Sequence, residues 1–182
     1  FDGDLVSETA EITPYLTKGK VIFIEPRNSG PISSELTAMR TGNMPIDGGF
    51  YVLEPEEVRT LMLENKDAGR YIRPFLGSRE LSQGRMRYCI WIEDSDHESA
   101  VAIPEIESRV RRVEDFRRSS TRLATKKLAA KPHRFAETQD CQRHIIALQN
   151  VSSENKPIRT PVLLSHPSMI SNLCFGLYDG HL

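Results

Sequence analysis

Few side chains in this sequence stand at spacings that chemistry demands. "DGG", at Asp47, Gly48 and Gly49 inside "TGNMPIDGG" (41–49), sets a carboxylate beside two glycines. A phosphate-cradling Walker loop needs G-x-x-x-x-G-K-[ST] between a strand and a helix, with a Lys for the phosphates. Here the glycines precede the apolar run "FYVL" and no Lys follows. The dinucleotide fingerprint G-x-G-x-x-G is also missing. The remaining reading is a tight structural turn that uses glycine at positive φ, with Asp47 capping it. "EDSDHE" (93–98) lacks the spaced Gly and terminal Glu of a calcium loop and reads as a solvated loop. "CQRH" puts Cys141 three residues before His144, but a structural zinc site needs four ligands, usually as two close pairs. His97, His133, His166 and His181 are isolated, and no nucleophile signature surrounds Cys89, Cys141 or Cys174.

What the sequence does offer is charge. The formal net charge is −1, yet residues 101–135 hold ten Lys and Arg against four Asp and Glu. That stretch carries +6 and the rest of the chain −7. A basic helix in an acidic chain fits nucleic-acid binding, because each cation that neutralises a phosphate releases counterion. On a continuous helix Arg118, Arg122 and Lys126, four apart, would share one face. Charge alone leaves a second reading open, a solvated face balanced by acidic neighbours. A second polar feature, "VSSENKPIR" (151–159), joins hydroxyls, a carboxylate, an amide and cations. Such side chains pair with base edges: Arg or Lys with guanine, Asn with adenine, Glu or Asp with cytosine.

The elements that must position these groups follow from periodicity and punctuation. Residues 1–20 read as a linker or the edge of a preceding domain, and 21–182 as one domain. "VIFIE" (21–25) and "FYVL" (50–53) read as strands. "EPEEVRTLMLENKDAG" reads as a helix: Pro55 suits the first position, Glu56 and Glu57 suit the positive dipole end, and Gly69 ends it. Val58, Leu61 and Met62 give its apolar stripe. "YIRPFLGSREL" reads as irregular, and "ELSQGRMRYCIWIED" as a hairpin turning at Gln83-Gly84. One long helix is expected from Glu105 to Lys131, stopped by Pro132, with Ile106, Val110, Val113, Phe116, Leu123 and Leu128 on its stripe. "HIIALQ" (144–149), "TPVLLS" (160–165) and "NLCFGLY" (172–178) complete the strands. The class is α+β, without βαβ regularity.

The chain has 182 residues, enough for a real core, and no window of about 18 apolar residues that would span a membrane. Three widely spaced cysteines point to a reducing compartment, hence a cytoplasmic protein. A start at Phe1 and an end on an apolar, strand-like stretch lead us to expect a piece of a longer polypeptide.

Taken in order, "GNMPIDGG" (42–49), "EPEE" (54–57), "YIRPFLGSREL" (71–81), "RYCIWI" (87–92), "RVEDFRRSSTRLATKKLAAKP" (112–132) and "VSSE" (151–154) resemble the target-recognition region of MmeI-type restriction–modification enzymes. Those single chains fuse an endonuclease, a DNA adenine methyltransferase and a DNA-reading domain. The likeness covers roughly residues 12–180. It implies an α+β domain with a mixed, mainly antiparallel sheet and long helices, similar to the specificity-subunit domains of type I systems. It also implies docking in the major groove of double-stranded DNA.

Carried across, the family's base-choosing pair falls on Glu154 and Lys156, with Asn155 and Arg159 as neighbours and Arg122 also approaching bases. Arg117, Arg118, Lys126, Lys127 and Lys131 would hold phosphates. Asn43 or Asp47 are further candidates to touch DNA. The family often has a basic residue where this chain has Asn155, and more aromatic text where it has "HRFAE" and "RTPVLLS". Variation in a reading loop is what a different target site requires. No Asn/Asp-Pro-Pro-Tyr/Phe motif or nuclease metal pattern occurs, so no catalytic, cofactor or metal residue is expected here. S-adenosylmethionine and Mg2+ would belong to methyltransferase and nuclease domains upstream. The rival readings are a catalytic nuclease or methyltransferase domain, and an interdomain interaction module that binds no DNA.

Overall fold

The structure, a computed structural model, describes residues 8–21, 30–31, 33, 35–151 and 158–180. The chain divides into two compact units, Phe1–Gly30 and Pro31–Leu182. In the first, a short turn is closed by a bridge between Ile12 and Lys18 and by the paired hydroxyls of Thr13 and Thr17, 2.7 Å apart. The strand expected at "VIFIE" lies, but for Val21, outside the described residues.

Among the described residues the second unit carries eight strands: β1 (Arg40–Thr41), β2 (Val52–Leu53), β3 (Ile72–Leu76), β4 (Tyr88–Ile90), β5 (His144–Gln149), β6 (Val162–Ser165), β7 (Met169–Ile170) and β8 (Cys174–Tyr178). Its helices are α1 (Pro55–Glu64), α2 (Ser78–Gln83), α3 (His97–Val101), α4 (Pro104–Ser119) and α5 (Leu123–Lys127). In place of the single mixed sheet with long helices, there are two four-stranded sheets and short helices. One is antiparallel in the order β1-β8-β5-β6. The other, β2-β4-β3-β7, is mixed, with β7 parallel to β3.

The main core lies between the mixed sheet and helices α1, α3 and α4. Phe135 sits at its centre, with Trp91 edge-on at 5.2 Å, Phe75 edge-on at 6.0 Å and Tyr51 stacked at 6.1 Å between ring centroids. Ile106, Val110 and Val113 of α4 are buried in it, at about 1.5–3 kcal/mol each. A smaller core of Cys141, Ile145, Ala147, Ile170 and Cys174 backs the antiparallel sheet. Met169 and Ile170 are successive β7 residues in different cores, as strand alternation requires.

Helix α1 begins as expected, with Pro55 first and the Glu57 carboxylate accepting from the Glu54 N–H at 3.0 Å. It ends earlier than expected, at Glu64, because the Asn65 side chain accepts from the Asp67 N–H and opens a 3-10 turn, Lys66–Tyr71, that contains Gly69.

"YIRPFLGSREL" is ordered rather than irregular. It supplies β3, where Pro74 breaks no ladder bond. The Phe75 N–H donates to Arg87 and the Tyr71 carbonyl accepts from Trp91, so odd residues face β4. Pro74 faces the other way, and β7 pairs only with Phe75 and Leu76.

The expected hairpin is α2 followed by β4. Gly84, at φ 65° and ψ 21°, is a left-handed helix cap whose N–H returns to the Glu80 carbonyl at 3.0 Å.

The long helix also fails as a single rod. It stops at Ser119, Ser120 is extended (ψ 146°), and its hydroxyl accepts from the Arg122 N–H at 3.1 Å. Serine competes in this way with the helical backbone. Arg118, Arg122 and Lys126 therefore share no helix face.

Candidate nucleic-acid interface

The break sorts the cations into two groups. All five arginines of α4 have partners within the fold. Arg109 donates to Glu57 at 2.9 Å and to the Phe50 carbonyl at 2.8 Å. Arg111 pairs with Glu107 at 2.6 Å and Arg118 with Glu114. The Arg112 guanidinium lies 4.1 Å over the Phe50 ring. Arg117 is wholly buried. Its Nε donates to Ile46, one terminal nitrogen to Pro45 and Arg134, and the other to Leu128 and Lys131, all backbone carbonyls at 2.7–3.1 Å. A guanidinium has five N–H donors, and all are satisfied.

The phosphate role expected of Arg117 is thus corrected: no donor remains, and no phosphate can reach it. The sequence held a signal for this. Ile106, Val110, Val113 and Arg117 continue one i, i+4, i+7 stripe, so Arg117 belongs to the buried face. Phe116, one residue off that stripe, is 41% exposed.

Arg117 ties the "DGG" turn to the segment after α5. Gly48 and Gly49 stand at φ 67° and 87°, and Asp47 accepts from the Tyr51 N–H at 2.6 Å. A Cβ on Gly48 would lie 3.0 Å from the Phe116 ring. Asn43 is also buried, bonded to Ile170 and to the Gln139 N–H. Asp47 caps the turn and Asn43 anchors the chain to Ile170; neither is open to DNA, which favours the structural reading of the turn over the alternative of DNA contact.

Beyond the break, Arg122, Lys126 and Lys127 are exposed and ion-pair with no described residue. Helix α5 is seated by buried Thr125, and the following turn by Ala129. Lys127, Lys131 and Arg134 line a cavity of about 440 Å³ with Asp94. Asp94 binds Lys131 at 2.8 Å, His133 at 2.7 Å and Arg134 at 3.3 Å. These partners hold its carboxyl well below the usual range. Lys131 is thereby partly neutralised, and the "EDSDHE" segment is built into an ion cluster.

This cluster makes stability depend on pH. Burial lowers the His133 pKa and outweighs the opposing bond to Asp94. Nδ1 of His133 is buried with no partner among the described residues, so protonation would place an unpaired N–H there. His97, its ring tilted against that of His133 at 4.2 Å between centroids, and Arg134 also disfavour charge. A depressed histidine costs nothing above its unfolded value near 6.5 and destabilises as pH falls below it. The melting temperature should fall between about pH 7 and 5, and His133→Gln should flatten that slope. An unchanged slope in the variant would show that other groups control it.

The second polar feature joins β5 to β6. Glu154, Asn155 and Lys156 lie outside the described residues. The root of their loop is well defined. Gln149 donates to the Ser78 carbonyl at 3.0 Å, the Asn150 N–H to Leu173 at 3.0 Å, and Arg159 to the Asn150 carbonyl at 3.3 Å. Ser78 in turn donates to the Leu173 carbonyl at 2.8 Å, so α2 braces the root. Beside it, Arg79, Gln83, Arg85 and Arg87 line a groove of about 550 Å³ with Val151. Sequence reading missed these arginines, because nothing in their spacing links them to a loop about 70 residues later.

Nucleophilic cysteine chemistry finds no support. Cys89, Cys141 and Cys174 are free and buried, and burial raises each thiol pKa, that of Cys141 to about 11. Among the described residues no three His, Cys, Asp or Glu cluster to hold a metal, and no helix is long and apolar enough to cross a membrane.

Comparison with known proteins agrees with this geometry. Over 173 residues the chain is 32% identical to DNA methyltransferase A of Bacillus subtilis (strain 168), covering 95% of this chain and 20% of that protein. Its fold matches the type IIL restriction-modification enzyme MmeI, solved in complex with DNA, at a TM-score of 0.86 and 25% identity, over 97% of this chain and 23% of that one. The chain thus spans about a fifth of either relative. Residues 18–182 match the family described as "MmeI, target recognition domain", and the chain belongs to that family.

Proposed function

We propose that this chain chooses the DNA site on which a larger restriction–modification enzyme acts, by reading duplex DNA through the major groove. The observation that carries the reading is the set of exposed cations Arg122, Lys126 and Lys127, which ion-pair with no described residue, in a chain whose family is one of target recognition. These side chains, with Lys131 of the same cavity as Lys127 and with Arg118 once it leaves Glu114, hold phosphates and set register. Loop 151–159 then presents Glu154, Asn155 and Lys156 to base edges, with Arg159 bracing its root. Arg122, just before α5, sits between the two tasks.

The remainder of the enzyme supplies the chemistry. An adenine amine is unreachable inside the stack, so a methyltransferase domain must flip the base into its own pocket. S-adenosylmethionine and Mg2+ belong to those domains, in the cytoplasm of a bacterium. We assign no step to either group within this chain.

Lys126→Gln/Lys127→Gln tests the phosphate layer. The double variant should bind every duplex more weakly. It should also flatten the dependence of log K on log salt by about 0.9 for each phosphate no longer neutralised. Fluorescence anisotropy across salt measures this. A wild-type slope in the variant would remove α5 from the interface. No binding of duplex by the wild-type chain at low salt would sink the function itself.

A further inference from the structure

The groove beside the loop root has the composition of an anion site, and the phosphate layer of α5 does not use it. Three arginines line it, and among the described residues only Arg87 is ion-paired: its Nε lies 2.7 Å from the Glu80 carboxylate. Glu80 is 5% exposed and also accepts from the Gly77 N–H at 2.7 Å. The Arg87–Glu80 contact is an ion pair by distance, since the Arg87 Nε–H makes no hydrogen bond to a described residue, and it tethers the guanidinium beside the groove. The Arg87 terminal nitrogens make no hydrogen bond to a described residue, and the side chain is 32% exposed. Arg79 and Arg85 are exposed and ion-pair with no described residue, although Glu54 lines the same groove. A guanidinium tethered by an ion pair and flanked by two exposed ones suits phosphate oxygens, which take planar, forked donors.

Position gives the anion its identity. Helix α2 is bonded to the root of the base-reading loop through Gln149 to Ser78 and Ser78 to Leu173. A duplex engaged by that loop must run past its root. We infer that the groove of Arg79, Arg85 and Arg87 clamps backbone phosphates of duplex DNA, fixing the register of loop 151–159. This second clamp rests on the DNA-reading function proposed above and adds a grip separate in sequence from α5. Glu54 opposes it, since a carboxylate in the groove repels phosphate.

The test uses the 182-residue chain and labelled duplexes in anisotropy titrations across salt. Arg79→Gln/Arg85→Gln should weaken binding to all sequences and reduce the salt slope by about 1.8, twice the value per phosphate. Both side chains are exposed, so the melting temperature should not move. Glu54→Gln should tighten binding severalfold. An unchanged slope in the arginine variant, where Lys126→Gln/Lys127→Gln reduces it, overturns the clamp and leaves the proposed function standing. Absent binding by the wild-type chain overturns both. Inorganic phosphate at fixed ionic strength separates a general anion pocket from a duplex clamp. Thermal protection by phosphate, lost in the arginine variant without any change in duplex affinity, also overturns the proposal.

Discussion

Arg117→Leu should destabilise the chain by about 3–5 kcal/mol, the scale for removing one partner from a buried charged network. In a domain of this size that lowers the melting temperature by roughly 10 °C. The cause is geometric. One side chain satisfies five carbonyls, on Pro45, Ile46, Leu128, Lys131 and Arg134, and adds to the Met44–Glu137 bridge and the Tyr51 hydroxyl bond to Pro132 that join the same two segments. Leucine fills part of the space and leaves those oxygens buried without donors. Lysine keeps the charge but has three donors on a flexible stem, so Arg117→Lys should recover little. The adjacent Arg118, paired at the surface with Glu114, provides the contrast. Arg118→Leu should stay within about 0.5 kcal/mol, as surface changes do. Chemical denaturation of the three variants checks the set. Equal losses at 117 and 118 would contradict the placement of Arg117.

The second large effect concerns sequence choice. Lys156→Asp should change the preferred base at one position and leave the others alone. A Lys pairs with guanine and an Asp with cytosine, and one good base pairing discriminates by about 1–3 kcal/mol, roughly five- to 150-fold. The phosphate layer is unaltered, so affinity for the new site should approach that of the old. Competition among duplexes that vary one base pair at a time measures the change. The original preference, retained at lower affinity, would show that Lys156 touches backbone rather than bases.

Local features of this fold were legible, and long-range ones were not. The alternating text of "HIIALQ" marked β5, and Pro55 marked the start of α1. The turn at Asp47 could be read because adjacent glycines beside a carboxylate have few other uses. Gly84 misled because a glycine at positive φ serves a hairpin turn and a helix cap equally, and only tertiary pairing decides between them. The break after Ser119 was hidden in a serine pair that a helix can tolerate. Two sheets rather than one follow from pairings such as Phe75 with Met169, far apart in sequence, which no local pattern encodes.

The candidate interface divides in the same way. Net charge pointed to residues 101–135, but could not tell an arginine held by carbonyls from a lysine facing water. The stripe from Ile106 to Arg117 would have told them apart. Arg79 on α2 and Arg85 just after its cap resemble any surface cations until the bond from Gln149 to Ser78 brings that helix to the loop root.

Selection of duplexes from a randomised pool by the wild-type chain tests most directly whether this molecule discriminates among sequences. Enrichment of one short site, lost when residues 152–157 are replaced by glycine and serine while salt-dependent binding persists, is the predicted result. Recovery of the same site with that loop replaced, or of no site at all, would contradict it.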